Sequence, residues 1–257
     1  MRADLFLFSH GLAKSRTHAA ALINSGVSID GKQISKPSEN IPDYTPLENI
    51  TILNPSKFVG RGGYKLEAAL DVFKLDVTGM TALDIGASTG GFTDCLLQHH
   101  AAKVYATDVG HGQLDRTLLS DRRVISMEGI NARNISRDMF NDKIDVVTCD
   151  VSFISQRLVY NAVSDVLDNG GIFISLIKPQ FEAGKKHLNK NGIVKDRKIH
   201  GIVIEELFSS AASCGLYPHG IAASPIEGGD GNREYIAYFI KNKPYAVSAE
   251  EIAKTVR

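Results

Sequence analysis

ALDIGASTGGFTDCLL, residues 82–97, decides the fold. An apolar run reaching Ile85 reads as a strand, Gly86-x-x-x-Gly90-Gly91 as a turn, and the apolar-periodic residues after it as a helix. In doubly wound α/β sheets such a junction lies at the carboxyl ends of the strands, where nucleotide-like ligands bind. Glycines there let the backbone approach a ligand closely. The spacing departs from G-x-G-x-x-G, and the acidic Asp84 argues against phosphates packed on the helix end. A carboxylate near the loop suits a ligand that carries an amine, such as the methionine part of S-adenosylmethionine. Asp84, Gly86, Ser88, Gly90 and Gly91 are therefore candidate cofactor residues.

Working outward, the next strand, KVYATDVG (103–110), ends in Asp108, 24 residues after Asp84. A carboxylate at the end of the second strand can accept hydrogen bonds from both hydroxyls of a ribose. After VISMEGI (124–130), Asn131 and Ala132 are placed to meet an adenine. Glycine turns and strand-end aspartates are common in α/β folds, so the weight lies on their combination. Strands and helices alternate from about residue 60: helices at 64–73, 91–99, 156–166 and 200–214, strands at 81–85, 103–108, 124–127, 144–149 and 172–177. Two further strands flank a glycine-rich loop near 220–241. This order predicts a Rossmann-like parallel sheet covered on both faces, with an antiparallel pair at its end.

GGIFISLIKPQFEAG (170–184) sets a second problem. A buried strand has no use for an ammonium group, yet this one stops on Lys178 with Pro179 behind it. The proline biases Lys178 to an extended backbone, which aims the side chain along the strand instead of letting a helix begin. KIDVVTCD (143–150) ends likewise in Asp150. A carboxylate and an ammonium thus face one crevice. They form either a structural ion pair or a site in which a partly desolvated lysine acts as a base.

Residues 1–56 read differently. Ser15 is a helix N-cap, Ala19, Ala20, Leu22 and Ile23 follow at helical spacing, and Gly26 is a stop signal. VSIDGKQISKP (27–37) is a hairpin turned at Asp30-Gly31, and ITIL (50–53) is a short strand. Asn54-Pro55-Ser56 breaks the pattern. The reading is a small α+β domain at 1–56, a linker at 57–63 and an α/β domain at 64–257. The three cysteines are far apart, and no metal-ligand cluster is evident. Net charge is zero, so nucleic-acid binding must rest on local patches. No apolar run approaches the roughly 18 residues that span a membrane, and no secretory signal is evident. A cytoplasmic location is expected.

RGGYKL (61–66), the 82–97 stretch, CDVSFIS (149–155), LIKPQFEAG (176–184) and GNREY (231–235) together resemble, in order and over nearly the whole chain, the TlyA-type RNA methyltransferases within the FtsJ-like ribose 2′-O-methyltransferases. The resemblance implies S-adenosylmethionine as cofactor, no metal, and ribosomal RNA as substrate, with cytidine as the base. It implies a catalytic tetrad of Lys65, Asp150, Lys178 and Glu234. Lys178 would take the ribose hydroxyl proton, Lys65 would hold it from full protonation by like charge, and the carboxylates would orient both lysines. The N-terminal segment resembles the RNA-binding domain known from a small-subunit ribosomal protein, and Arg2, Lys14, Arg16, Lys32 and Lys36 fall on its basic face. Six Lys/Arg oppose five Asp/Glu over residues 1–59, so fold signature rather than charge carries that reading. The basic stretch 184–198 is either a phosphate contact beside the site or a solvated loop. Three rival readings are weaker. The haemolysin label of some relatives suggests a membrane-active protein, but no amphipathic basic helix supports it. A non-catalytic ribosome-assembly factor conflicts with the intact tetrad, and a nicotinamide enzyme with the glycine spacing.

Overall fold

The computed structural model describes residues 1–13, 15–52, 56–228 and 231–257, apart from the side chain of Ser25. Lys14, Leu53 and the Asn54-Pro55 break lie outside the described residues. Two compact units form, residues 1–57 and 58–257.

The first unit holds helices α1 (Ala3–Ser9) and α2 (Arg16–Gly26) and strands β1 (Val27–Ile29), β2 (Lys32–Gln33) and β3 (Ile50–Ile52) in the order β2-β1-β3. The Ser15 hydroxyl accepts from His18 N at 3.1 Å, capping α2. Asp30 and Gly31 have φ of 50° and 76°, the left-handed pair that a tight hairpin requires. Ala3, Phe6, Leu7, Leu22, Ile23 and Val27 form its core.

The second unit contains α3 (Gly62–Phe73), β4 (Thr81–Ile85), α4 (Gly91–Gln98), β5 (Lys103–Asp108), α5 (Arg116–Leu119), β6 (Val124–Glu128), β7 (Ile144–Cys149), α6 (Tyr160–Val166), β8 (Leu167–Ile177), α7 (Pro179–Glu182), α8 (Arg197–Ser213), β9 (Leu216–Ala223), β10 (Tyr235–Lys241) and α9 (Ala249–Val256). The sheet order is β6-β5-β4-β7-β8-β10-β9. β4 to β8 run parallel, and β10 is antiparallel to both neighbours. The chain order reverses between β4 and β7, which opens a crevice at their carboxyl ends. Strand side chains alternate between two apolar layers. Ala82, Val104, Val146 and Ile174 pack with α3 and α4. Leu83, Tyr105, Val147 and Phe173 pack with α6 and α8. Strands buried on both faces read as continuous apolar runs, and these do.

Several boundaries differ from the sequence reading. Residues 58–63, taken as linker, pack into the second unit: Phe58 is 2% exposed, and α3 already begins at Gly62. Lys178 is extended (φ −117°, ψ 95°), but Pro179 does not prevent a helix. It starts the one-turn α7, because a ring-fixed φ and a missing N–H suit the first helical position. The helix at 156–166 is a 3₁₀ turn, Gln156–Leu158, followed by α6. α9 was not anticipated, although Ser248 and Glu251 form a capping box visible in the sequence.

Candidate active site

The carboxyl edge of the sheet holds two adjoining cavities. The larger, about 480 Å³, is lined among others by Gly86, Ser88, Asp108, Gln113, Asn131 and Ala132. Ile85, Val109 and Ile130 give it an apolar side. Asp108 Oδ2 accepts from Ser88 N at 2.8 Å and Oδ1 from Gly110 N at 2.7 Å, so the glycine loop is closed onto the β5 end. The smaller cavity, about 220 Å³, is lined by Gly62, Gly91, Phe92, Lys178 and others. Gly86, Ser88, Asp150 and Ser152 line both, so the two communicate. Glycine is required at two of these positions. A Cβ on Gly86 would lie 2.8 Å from the Asp150 carbonyl oxygen, and one on Gly91 would lie 2.9 Å from Gly63 N. The start of α3 thus packs backbone to backbone on the start of α4.

Two residues read as cofactor contacts do not line either cavity. Asp84 is 0% exposed, inside β4 and not at its end. Its carboxylate accepts from Thr93 Oγ1 at 2.7 Å and Thr148 Oγ1 at 2.9 Å. Burial pushes its pKa up to about 6, against the pull of the two threonine hydroxyls. It ties the first turn of α4 to β4 and β7. Gly90, at φ 94°, turns the chain against Leu118. Gln113, Ser152, Phe153 and Ile154 line the larger cavity and were not anticipated.

The four tetrad positions converge on this edge. Register explains why. Tyr235 pairs with Ile177 in the antiparallel β10–β8 ladder, so Glu234 and Lys178 each lie one residue past that pair. Asp150 N donates to Ile85 O at 3.0 Å, extending the β4–β7 ladder by one residue. Lys65 stands one turn into α3, whose Gly62 borders the smaller cavity with Asp150 and Lys178. Two ion pairs result. Lys65 Nζ donates to Glu234 Oε2 at 2.5 Å, with side chains 9% and 4% exposed. Lys178 Nζ lies 2.5 Å from Asp150 Oδ1, with exposures of 9% and 22%. That second contact is Coulombic without hydrogen-bond alignment, and Oδ1 has no hydrogen-bond partner. The aligned bond from Lys178 goes to Ser152 Oγ at 2.8 Å.

A further set of bonds holds Lys178 and Asp150 in register. Glu182, at the end of α7, accepts from Ser155 Oγ at 2.6 Å and Gln156 N at 2.8 Å. Gln156 donates to Leu176 O at 2.5 Å. The loop after Asp150 is thereby fastened on both sides of Lys178. Burial raises the Glu182 pKa. In the same loop Phe153 has φ 65° and is 87% exposed at the cavity mouth, 5.0 Å centroid to centroid from Phe181.

Of the five N-terminal cations, Arg2 and Arg16 both bond the carboxylate of Asp4, at 2.9–3.0 Å, and hold it well below the usual carboxylate range. Lys32 and Lys36 are exposed, and Lys14 lies outside the described residues. Among the described residues there is no group of His, Cys, Asp and Glu that could hold a metal ion.

Comparison with known proteins gives the same direction. The chain is 42% identical over 242 residues to Hemolysin A of Brachyspira hyodysenteriae, covering 93% of this chain and 100% of that one. It is 38% identical over 256 residues to the 16S/23S rRNA (cytidine-2′-O)-methyltransferase TlyA of Mycobacterium tuberculosis, covering 99% and 95%. A solved structure from Streptococcus thermophilus, designated a hemolysin, superposes with a TM-score of 0.79 at 40% identity, covering 100% and 94%. A family model described as FtsJ-like methyltransferase matches residues 58–241, so the chain belongs to that family.

Proposed function

We propose that this protein transfers a methyl group from S-adenosylmethionine to the 2′-hydroxyl of a cytidine ribose in ribosomal RNA, in the cytoplasm. The observation that carries the reading is the junction of the two cavities. A nucleotide-sized pocket opens, through Gly86, Ser88, Asp150 and Ser152, onto a smaller one that presents Lys178. The residues fit the cofactor: Asp108 offers a carboxylate for ribose hydroxyls, Val109 and Ile130 give apolar walls for a flat base, and the bare backbone at Gly86 admits a close approach. Asn131 and Ala132 line the same pocket at the base end. When bound, the cofactor's sulfonium supplies an electrophilic methyl carbon, so the chemistry asks of the protein only alignment and removal of a proton.

In this reading Lys178 is the base. Its Nζ lies beside Asp150, donates to Ser152 Oγ and borders the smaller cavity, where the incoming hydroxyl would sit. Lys178 would take the proton that the 2′-hydroxyl loses when the methyl passes from the sulfonium, which leaves as a thioether, and the Asp150 carboxylate would stabilise the ammonium so formed. Lys65 and Glu234 neutralise one another at the same edge of the sheet. Orientation of the two reactants supplies much of the rate. Among the described residues no helix is long and apolar enough to cross a membrane.

The test is methyl transfer from labelled S-adenosylmethionine to ribosomal subunits lacking this modification, with wild type and Lys178→Ala in parallel. Label that resists alkaline cleavage at one ribose, and is lost in the variant while cofactor binding persists, supports the reading. Full activity in the variant removes Lys178 from its role. Cofactor binding without any label in wild type overturns the proposed substrate.

A further inference from the structure

Residues 185–198 carry six cations, Lys185, Lys186, Lys190, Lys195, Arg197 and Lys198, against the single acid Asp196. This is a local excess of five in a chain whose formal net charge is zero. All six are exposed, and none belongs to an ion pair among the described residues. Arg197 and Lys198 stand in the first turn of α8, where the one acid is the N-cap Asp196, whose Oδ1 accepts from Lys198 N at 2.9 Å. The positive end of a helix dipole is an unfavourable place for cations. One acid against six cations leaves a local positive potential that an anion relieves.

The segment is also built, not adrift. Asn189 Oδ1 accepts from Asn191 N at 2.8 Å and Ile193 N at 3.0 Å, and Val194 is buried. Two ties fasten it to the residues on either side of Glu234. Asn232, 5% exposed, donates to Gly192 O at 3.3 Å. His200, 1% exposed, bridges the Val194 carbonyl at 2.8 Å and the Tyr235 hydroxyl at 2.7 Å. Its other end follows Lys178 through α7. The basic segment therefore spans from one lysine of the site to the glutamate that neutralises the other.

We propose that residues 185–198 are a docking surface for the phosphates of the RNA strand being modified, and that their ties to Asn232 and Tyr235 hold that strand in register with the reactive edge. The inference deepens the reading given under Proposed function and rests on it. Charge complementarity selects a polyanion, and the position beside Lys178 and Glu234 selects the strand that carries the acceptor ribose. None of the large exposed apolar side chains falls in this segment, which disfavours insertion into a lipid surface. Phosphate contacts of this kind set register and affinity without reading sequence.

The experiment uses the full chain and ribosomal subunits that lack the modification. Wild type is compared with Lys185→Gln/Lys186→Gln/Lys190→Gln, with Arg197→Gln/Lys198→Gln, and with a control matched in charge to the double variant, Lys74→Gln/Lys254→Gln. Filter binding across about 50 to 200 mM salt gives the slope of log K against log salt, whose magnitude falls by roughly 0.7 to 0.9 for each phosphate that is no longer neutralised. The triple variant is expected to take about 2 off the slope and the double variant about 1.5. KM for the subunit rises about tenfold in the triple variant with kcat within twofold of wild type, and the control stays at wild-type values. Unchanged slopes in both segment variants, with wild type active, overturn the surface. An equal fall in the control overturns it in favour of a general charge effect. Variants that keep RNA affinity but no longer float with phosphatidylglycerol vesicles overturn it in favour of lipid. Reduced slopes with no methyl transfer by wild type would leave the RNA surface standing and refute the catalytic reading instead.

Discussion

Two lysine–carboxylate pairs lie at one edge of the sheet and differ in two respects, access to solvent and hydrogen-bond alignment. Lys65 and Glu234 are both almost dry and share an aligned hydrogen bond. Lys178 and Asp150 are matched in distance, but the carboxylate is 22% exposed and the ammonium gives its aligned bond to Ser152. The same chemical pairing therefore serves two ends. A sealed pair cannot exchange protons with an acceptor without leaving a buried charge behind. An open pair can, because a cavity adjoins it. The proposed division of roles, support for the first pair and reaction for the second, follows that difference.

The largest effect expected is on catalysis. Lys178→Ala should lower kcat by about 10² to 10⁴, the range for removal of a positioned base, with cofactor affinity by calorimetry unchanged. A drop of the same size in Lys65→Ala with normal stability would erase the distinction between the pairs. Stability separates them next. Glu234→Ala strands a buried ammonium and should cost about 3 to 5 kcal/mol, whereas Asp150→Ala leaves Lys178 bonded to Ser152 beside an open cavity and should cost no more than about 2 kcal/mol. The double change Lys65→Met/Glu234→Leu should restore most of the stability, read by urea unfolding, while activity stays low. Equal destabilisation by the two acid-to-alanine changes would break the comparison.

Asp84 sharpens it from the other side, as a buried carboxylate with no cation. Its pKa is pushed up to about 6 in the folded chain, with burial as the leading cause. An acid of raised pKa holds its proton to higher pH when folded, so its favourable contribution is complete below about pH 4 and is lost as pH rises to about 6. Asp84→Asn should remove that slope and gain about 3 kcal/mol over wild type at pH 7. Denaturant midpoints from pH 4 to 8 decide, and parallel pH profiles for the two proteins would contradict it. A smaller effect is expected at Glu182. Replacing it by alanine strands the Ser155 and Gln156 donors, costing about 1 to 3 kcal/mol, and should lower kcat about tenfold with little change in cofactor affinity. Glu182→Gln should recover part of the rate. The smallest is Ser152→Ala, a deficit of about 1 kcal/mol in transition-state positioning, or roughly fivefold in kcat.

Much of this arrangement is legible in the chain, for physical reasons that differ by residue. The strands buried on both faces announce themselves as apolar runs, and Asp108, Asp150 and Lys178 end or follow them as charged stops. Asp84 misleads because the position next to a strand's end can face either the crevice or the interior, and here it turns inward onto Thr93 and Thr148. A single position separates a pocket contact from a buried brace, and periodicity does not resolve one position. Pro179 misleads differently, since the feature that forbids a helix interior favours a helix start. The left-handed φ of Phe153 and the bonds of Glu182 depend on tertiary packing and have no local signature. The capping box at Ser248 and Glu251 did have one.

The Lys65–Glu234 bond joins residues 169 positions apart in the chain. At about 5 to 20 residues per second of synthesis, the lysine waits on the order of 10 to 30 s for its counter-ion. Its ammonium can be buried against a counter-ion only after that carboxylate has been made. The pair that seals this side of the sheet edge is thus among the last contacts the growing chain can make, because its acid stands directly before the last strand.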